Sequence, residues 1–221
     1  MDRTTGAVAL SLAIASTAIL AAPTTAAAPT SLVRKHSQGD TALARRVLLG
    51  QADLGPGWAA APAAAAESAL TCPGAEPRLP GVVETGAATS DSFQRSPTGP
   101  FLSASSWVYG TPQQAATVWE RVVARGLLGC LVRSVQQGSA SGVKLTVRST
   151  APMPLPQLAP HTAAYRVVAA ARTSAGSVSA YYTLIVLGRG RLIAELSLAS
   201  LTTPLPAASE LTLARRAARR L

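Results

Sequence analysis

Histidine and cysteine are nearly absent from this sequence, which has two of each: His36 and His161, Cys72 and Cys130. No CxxC occurs, and neither cysteine has a histidine within thirty residues, so a redox-active or nucleophilic thiol is not expected. A zinc site draws three or four His, Cys or carboxylate ligands together, and no such cluster is visible. Carboxylates are thin as well. Asp53, Glu67, Glu76, Glu84 and Asp91 are spread along the first half without the close alternation of a calcium-binding loop. There is no GxSxG elbow, and no spacing assigns a serine to His161, which follows a proline-rich loop and reads as solvated or structural. These shortages predict no catalytic residue, no metal and no cofactor. Aromatic residues make up 4% of the chain and charged residues 14%; of 20 basic residues only Lys35 and Lys144 are lysines. The Arg and Ala bias is as well explained by a GC-rich genome as by function. Past the N-terminus no long apolar run appears.

The N-terminus itself is apolar. Met1-Asp2-Arg3 precedes a run of small and apolar residues from Ala7 to Ala22, 16 residues in all. That is short of the roughly 20 a membrane-spanning helix needs, and it matches the charged start and apolar middle of a secretory signal. Small residues at Ala26, Ala27 and Ala28 place cleavage within 26–28. The expected organisation is therefore a signal peptide over 1–28, a flexible lead-in over 29–39 and one domain over 40–221. About 190 residues then remain, enough for a core of their own. With no cysteine near the cleavage region, lipid attachment is excluded, and the expected location is secreted, extracytoplasmic and untethered.

A net charge of +10 and a pI near 11.0 raise nucleic acid as a partner, but the arginines are scattered. The one dense group, Arg215, Arg216, Arg219 and Arg220, falls at the end of an expected C-terminal helix, where cations suit the helix dipole. Nucleic acid is not expected; weak association with anionic envelope polymers or lipids is. In an oxidising compartment two cysteines most often pair. A Cys72–Cys130 disulfide would enclose 57 residues, and the loop-entropy model values that at roughly 4 kcal/mol.

Along the mature chain, a helix is expected from Asp40, whose carboxylate can cap Ala42 or Leu43. Residues 59–100 read as mostly irregular. Phe101–Tyr109 alternates as a strand and ends at Gly110. Thr111-Pro112-Gln113-Gln114 opens a helix with a capping box, and Ala115, Val118, Trp119, Val122 and Val123 form its buried stripe. This helix runs to about Gly126 and resumes through Cys130 to Val135. Strands follow at 143–148, 163–172, 178–187 and 191–198, the last two joined as a hairpin by Gly188-Arg189-Gly190. Four prolines between Thr150 and Pro160 make a stiff loop. Ser209-Glu210 opens the final helix. This order predicts an α+β fold, an antiparallel β-sheet with helices packed on it as an α/β sandwich.

Several of these segments together resemble a known family. They are the helix into Leu49–Trp58, the Cys72-Pro73-Gly74 turn, the strand-Thr-Pro-helix with Trp119, Cys130 at that helix's end, 162–167 and Gly188-Arg189-Gly190-Arg191. They resemble the actinobacterial extracytoplasmic sensor domain found in PknH-type serine/threonine kinases and in stand-alone exported proteins. The resemblance covers most of 40–221 and implies an antiparallel sheet flanked by helices, with a cleft for an unidentified small molecule. This chain departs from the kinase members in lacking a kinase domain and a transmembrane segment and in having two cysteines where they carry four. Those departures speak against signalling by this chain alone.

The function expected is a secreted, non-enzymatic binding or sensor-like domain of the cell envelope, its partner a small molecule or an envelope component. Trp58, Trp107, Tyr181 and Tyr182 are candidates to line a cleft where apolar sheet meets irregular loops, and Arg166 and Arg191 to hold an anion in it. The rival readings are a hydrolase acting on envelope esters or polymers and a purely structural wall protein.

Overall fold

The computed structural model describes residues 32–61, 78–137, 144–173 and 176–221. The expected signal peptide over 1–28 and Cys72 lie outside the described residues. In chain order the elements are β1 (Val33–Arg34), α1 (Gln38–Val47), β2 (Ala59–Ala61), β3 (Val83–Thr89), β4 (Ser92–Gln94), β5 (Phe101–Tyr109), α2 (Pro112–Val118) and α3 (Leu127–Gln137). There follow β6 (Lys144–Pro152), β7 (His161–Thr173), β8 (Gly176–Arg189), β9 (Leu192–Leu201) and α4 (Ala207–Ala218). The fold is α+β. Its open sheet runs β1-β3-β5-β9-β8-β7-β6, with β4 pairing both β5 and β2. Every pairing is antiparallel except that of β1 with β3, which is parallel. This is the α+β fold expected, an antiparallel sheet carrying helices, made mixed by the two-residue parallel pairing of β1 with β3.

Period-two alternation divides the strands between two layers. One face carries Trp107, Tyr109, Val167, Leu184, Val186 and Ile193 under α2 and α3. The other carries Leu102, Ala104, Ala164, Ile185, Leu187 and Leu196 under α4, while α1 covers Val108 and Ala194 at its edge. Among the described residues no helix is long and apolar enough to cross a membrane.

Several local expectations are corrected. The stretch 59–100 contributes β2, β3 and β4. β3 is a poor strand by composition, with the sequence VETGAAT, but its glycine is required. A Cβ on Gly86 would stand 2.4 Å from the carbonyl carbon of Asp40, so the first turn of α1 rests directly on the strand. The lead-in is tied down in part, since β1 pairs with β3 and Ser37 N–H donates to Thr85 O at 2.8 Å. α1 begins at Gln38, and its cap is the Ser37 hydroxyl, which accepts from Asp40 N–H. That frees the Asp40 carboxylate for Arg191, which donates to it at 2.6 Å. Thr111 caps α2 as expected, but the Gln114 side chain reaches to β3 instead of completing the box. It donates to Gly81 O at 2.8 Å and accepts from Val83 N–H at 3.3 Å.

Between α2 and α3 the helix widens into a π turn over Trp119–Val123, with Ala124 N–H donating to Trp119 O. The Tyr165 hydroxyl donates to Val123 O at 3.1 Å. The extra residue in the turn points Trp119, Val122 and Val123 into the core together. β6 extends to Pro152, at the sheet edge where a missing N–H costs nothing. Only 153–160 remain irregular, and α4 starts at Ala207, two residues before the expected Ser209.

Candidate functional site

Beside Leu131 of α3, the described parts of β4, β5, β8 and β9 line a cleft of about 470 Å³. Its apolar wall includes Phe101, Leu131, Tyr182, Leu184 and Ala199, and its polar groups include Ser92, Gln94, Ser103, Thr183 and Ser197. Alternation builds it. Phe101 and Ser103 point to the same side of β5 as Trp107, Ser197 and Ala199 to the same side of β9 as Ile193, and Tyr182 and Leu184 to the same side of β8 as Val186.

A polar thread runs from the cleft into the sheet. The Ser197 hydroxyl donates to Glu195 Oε1 at 3.0 Å, and Glu195, only 3% exposed, pairs across the strands with Ser105. Ser105 in turn shares a hydrogen bond of 3.3 Å with Thr89. Burial pushes the Tyr182 phenol above its usual range, so it enters the cleft as a neutral O–H. Among the described residues no Lys or Arg lines the cleft. An apolar pocket with neutral hydroxyls and one amide suits an uncharged molecule carrying a hydrogen-bonding group, because an anion would be desolvated there without a compensating charge.

The six residues singled out from sequence fall on both faces of the sheet. Tyr182 lines the cleft, and Trp107 is buried on the same face within the core beneath α2. Trp58 lies on the opposite face, against Leu54 and Leu213, beside a groove of about 340 Å³ that Arg95 and Arg216 flank. Tyr181 points the same way as Thr183, toward Leu205 and Glu210 of the α4 side. Arg166 pairs with Glu210 at 2.5 Å and donates to Thr183 Oγ1 at 3.2 Å. Arg191 pairs with Asp40. Both arginines are thus engaged by carboxylates inside the protein, and neither lines the cleft beside Tyr182.

Sequence reading missed Phe101, Ser103, Ser197 and Glu195. The available signal was the run of small hydroxyl residues at alternate positions of otherwise apolar strands, Ser103 and Ser105 on β5 and Ser197 on β9. Apolar strands spend such positions on packing unless something polar is to be met there.

The two histidines have structural neighbours. His161 stacks on Trp119 with ring centroids 5.0 Å apart, a contact that Gly188 permits because a Cβ there would lie 3.2 Å from the His161 Cβ and 3.4 Å from the indole. His36 Nε2 lies 2.7 Å from Glu84 Oε1, with Arg34 3.6 Å from the same oxygen. Glu84 is 3% exposed; burial, with this carboxylate adding to it, pushes the Tyr109 phenol far above its usual range. Among the described residues no group of three His, Cys, Asp or Glu is placed to hold a metal. Cys130, on α3, is buried.

Compared with known protein families and with curated proteins, the chain matches none. Among solved structures it is similar to the crystal structure of the extracellular domain of PknH from Mycobacterium tuberculosis, at 7% sequence identity and a TM-score of 0.47, over 81% of this chain and 95% of that one.

Proposed function

We propose that this chain is a secreted, non-enzymatic binding domain of the cell envelope that holds a small, largely apolar and uncharged molecule in the sheet-face cleft. The observation that carries the reading is the cleft itself. An apolar wall with a few neutral hydrogen-bonding groups is what a binding pocket needs, and a stability-driven core would have filled it. Hydrolysis lacks support from the described residues, because the ring of His161 is stacked on Trp119 and no serine or cysteine hydroxyl or thiol is hydrogen-bonded to it. The apolar stretch at 7–22 supports export with removal of residues 1–28. Export and the burial of Cys130 support a structural Cys72–Cys130 disulfide.

The test uses Nile red, a neutral apolar fluorophore, with the full-length protein. The expected result is saturable one-to-one uptake that Ala199→Trp, which fills the cleft, reduces at least ten-fold (~1.4 kcal/mol) while the thermal midpoint stays close to the parent's. Uptake that Ala199→Trp leaves unchanged, or no saturable uptake at all, would overturn the assignment.

A further inference from the structure

On the opposite face of the sheet, three arginines from two elements converge on one pocket. Arg215 and Arg219 stand one turn apart on α4, Arg189 ends β8, and with Leu158 and Ala218 they line a cavity of about 480 Å³. All three arginines are exposed, and none has a carboxylate partner among the described residues. Among the described residues three side-chain carboxylates are held by other arginines: Glu210 by Arg166, Asp40 by Arg191 and Asp53 by Arg220.

The dipole at the end of α4 accounts for cations at 215 and 219, but it gives no reason for Arg189, which reaches the pocket from the tight β8–β9 turn set by Gly190 at φ 57°. Like charges at i and i+4 on a helix repel, and a third guanidinium beside them adds to that repulsion. A multiply charged anion reverses its sign. Guanidinium groups offer forked N–H pairs that match the tetrahedral oxygens of a phosphate and hold it through several charge-assisted bonds. The pocket is open to solvent, and Leu158 and Ala218 supply an apolar side.

From this geometry we infer that the Arg189–Arg215–Arg219 pocket is an anion site for a phosphate group, one that carries an apolar substituent against Leu158 and Ala218. This site is separate from the cleft, on the other face of the sheet, and takes a ligand of opposite character.

Two sources of that chemistry are a lipid headgroup and a free phosphate ion, and three probes separate them: vesicles of phosphatidylglycerol against vesicles of phosphatidylcholine, a soluble short-chain phosphatidylglycerol, and inorganic phosphate. The expected result is binding to the anionic vesicles that falls about five-fold for each arginine removed, in Arg189→Gln and further in Arg215→Gln/Arg219→Gln. Arg125→Gln, an exposed arginine before α3 on the other face, should leave it nearly unchanged. Competition by the short-chain ester and not by inorganic phosphate would assign the headgroup. Binding of inorganic phosphate alone, lost in the same variants, would keep the oxyanion site and overturn the apolar substituent. No binding to any probe, or an equal loss with Arg125→Gln, would overturn the site. Nile red uptake by the cleft should be unaffected by these variants, so failure of one site is distinguishable from failure of the other.

Discussion

Replacing Arg166 by methionine isolates the most deeply buried carboxylate among the described residues, Glu210. The Glu210 side chain is 1% exposed; it is held by the Arg166 guanidinium at 2.5 Å and by the Thr183 hydroxyl, which donates to Oε1 at 2.9 Å. Arg166 is itself 28% exposed and also contacts Met153 Sδ at 3.3 Å, so methionine preserves much of its packing. What is lost is the counter-charge. An ionised carboxylate would then remain beneath α4 with a single hydroxyl for company, and breaking a buried pair from one side costs about 3–5 kcal/mol. Against a typical total of about 5–15 kcal/mol that is a large share. At about 2–4 °C per kcal/mol for a domain of this size, the thermal midpoint should fall by roughly 6–20 °C. Urea unfolding of the full-length protein should show a lower midpoint at unchanged slope, since the surface exposed on unfolding is nearly the same. The triple variant Arg166→Met/Thr183→Val/Glu210→Leu removes all three polar groups together and should recover most of the loss, ending within about 2 kcal/mol of the parent. The reasoning fails if the single variant costs under about 1 kcal/mol, or if the triple variant is no better than the single.

Two alanine substitutions at glycine should act with opposite signs under thermal melting. Gly86→Ala forces a methyl into the backbone of Asp40 and should cost at least the ~1–3 kcal/mol of an overpacked site; Gly129→Ala, exposed in the first turn of α3 with nothing within 4 Å, should stabilise by about 0.4–1 kcal/mol. The hydroxyl of Thr85 and the guanidinium of Arg191 hold the Asp40 carboxyl below the usual carboxylate range, although its partial burial opposes them. Asp40 therefore contributes stability above its unfolded pKa that is lost as pH falls through the folded value, and Asp40→Asn should be less stable than the parent at neutral pH and should narrow that gap on acidification; a gap constant with pH would refute the linkage. Thiol titration of exported protein under denaturing conditions should find no free thiol, and reduction should lower stability by roughly 4 kcal/mol; two free thiols per chain, or secreted material beginning at Met1, would refute the corresponding proposals.

The long strands were legible because the alternation in 101–109, 163–172 and 178–187 is strong and local, and the Thr111-Pro112 start of α2 because caps are local chemistry. β3 was not, since Val83–Thr89 is held by α1 resting on Gly86 and by pairing with β5 across an intervening strand and loops; neither leaves a mark in its composition. Tyr182 was recognised as a cleft residue, but its partners were hidden because Phe101 and Ser197 become neighbours only through the β5–β9 register. Arg166 and Arg191 looked free because a carboxylate 44 or 151 residues away does not advertise its claim on them.

The sequence by itself determined the α+β class, the apolar stretch at 7–22, the scarcity of catalytic residue types and which faces of the long strands are apolar, because each of these depends on composition or on periods of two to four residues. Only the tertiary structure decided, among the described residues, which arginines are neutralised and which converge on one pocket without a carboxylate, and which strand positions line the cleft. Those outcomes depend on strand order and on pairs far apart in the chain, which local pattern does not encode.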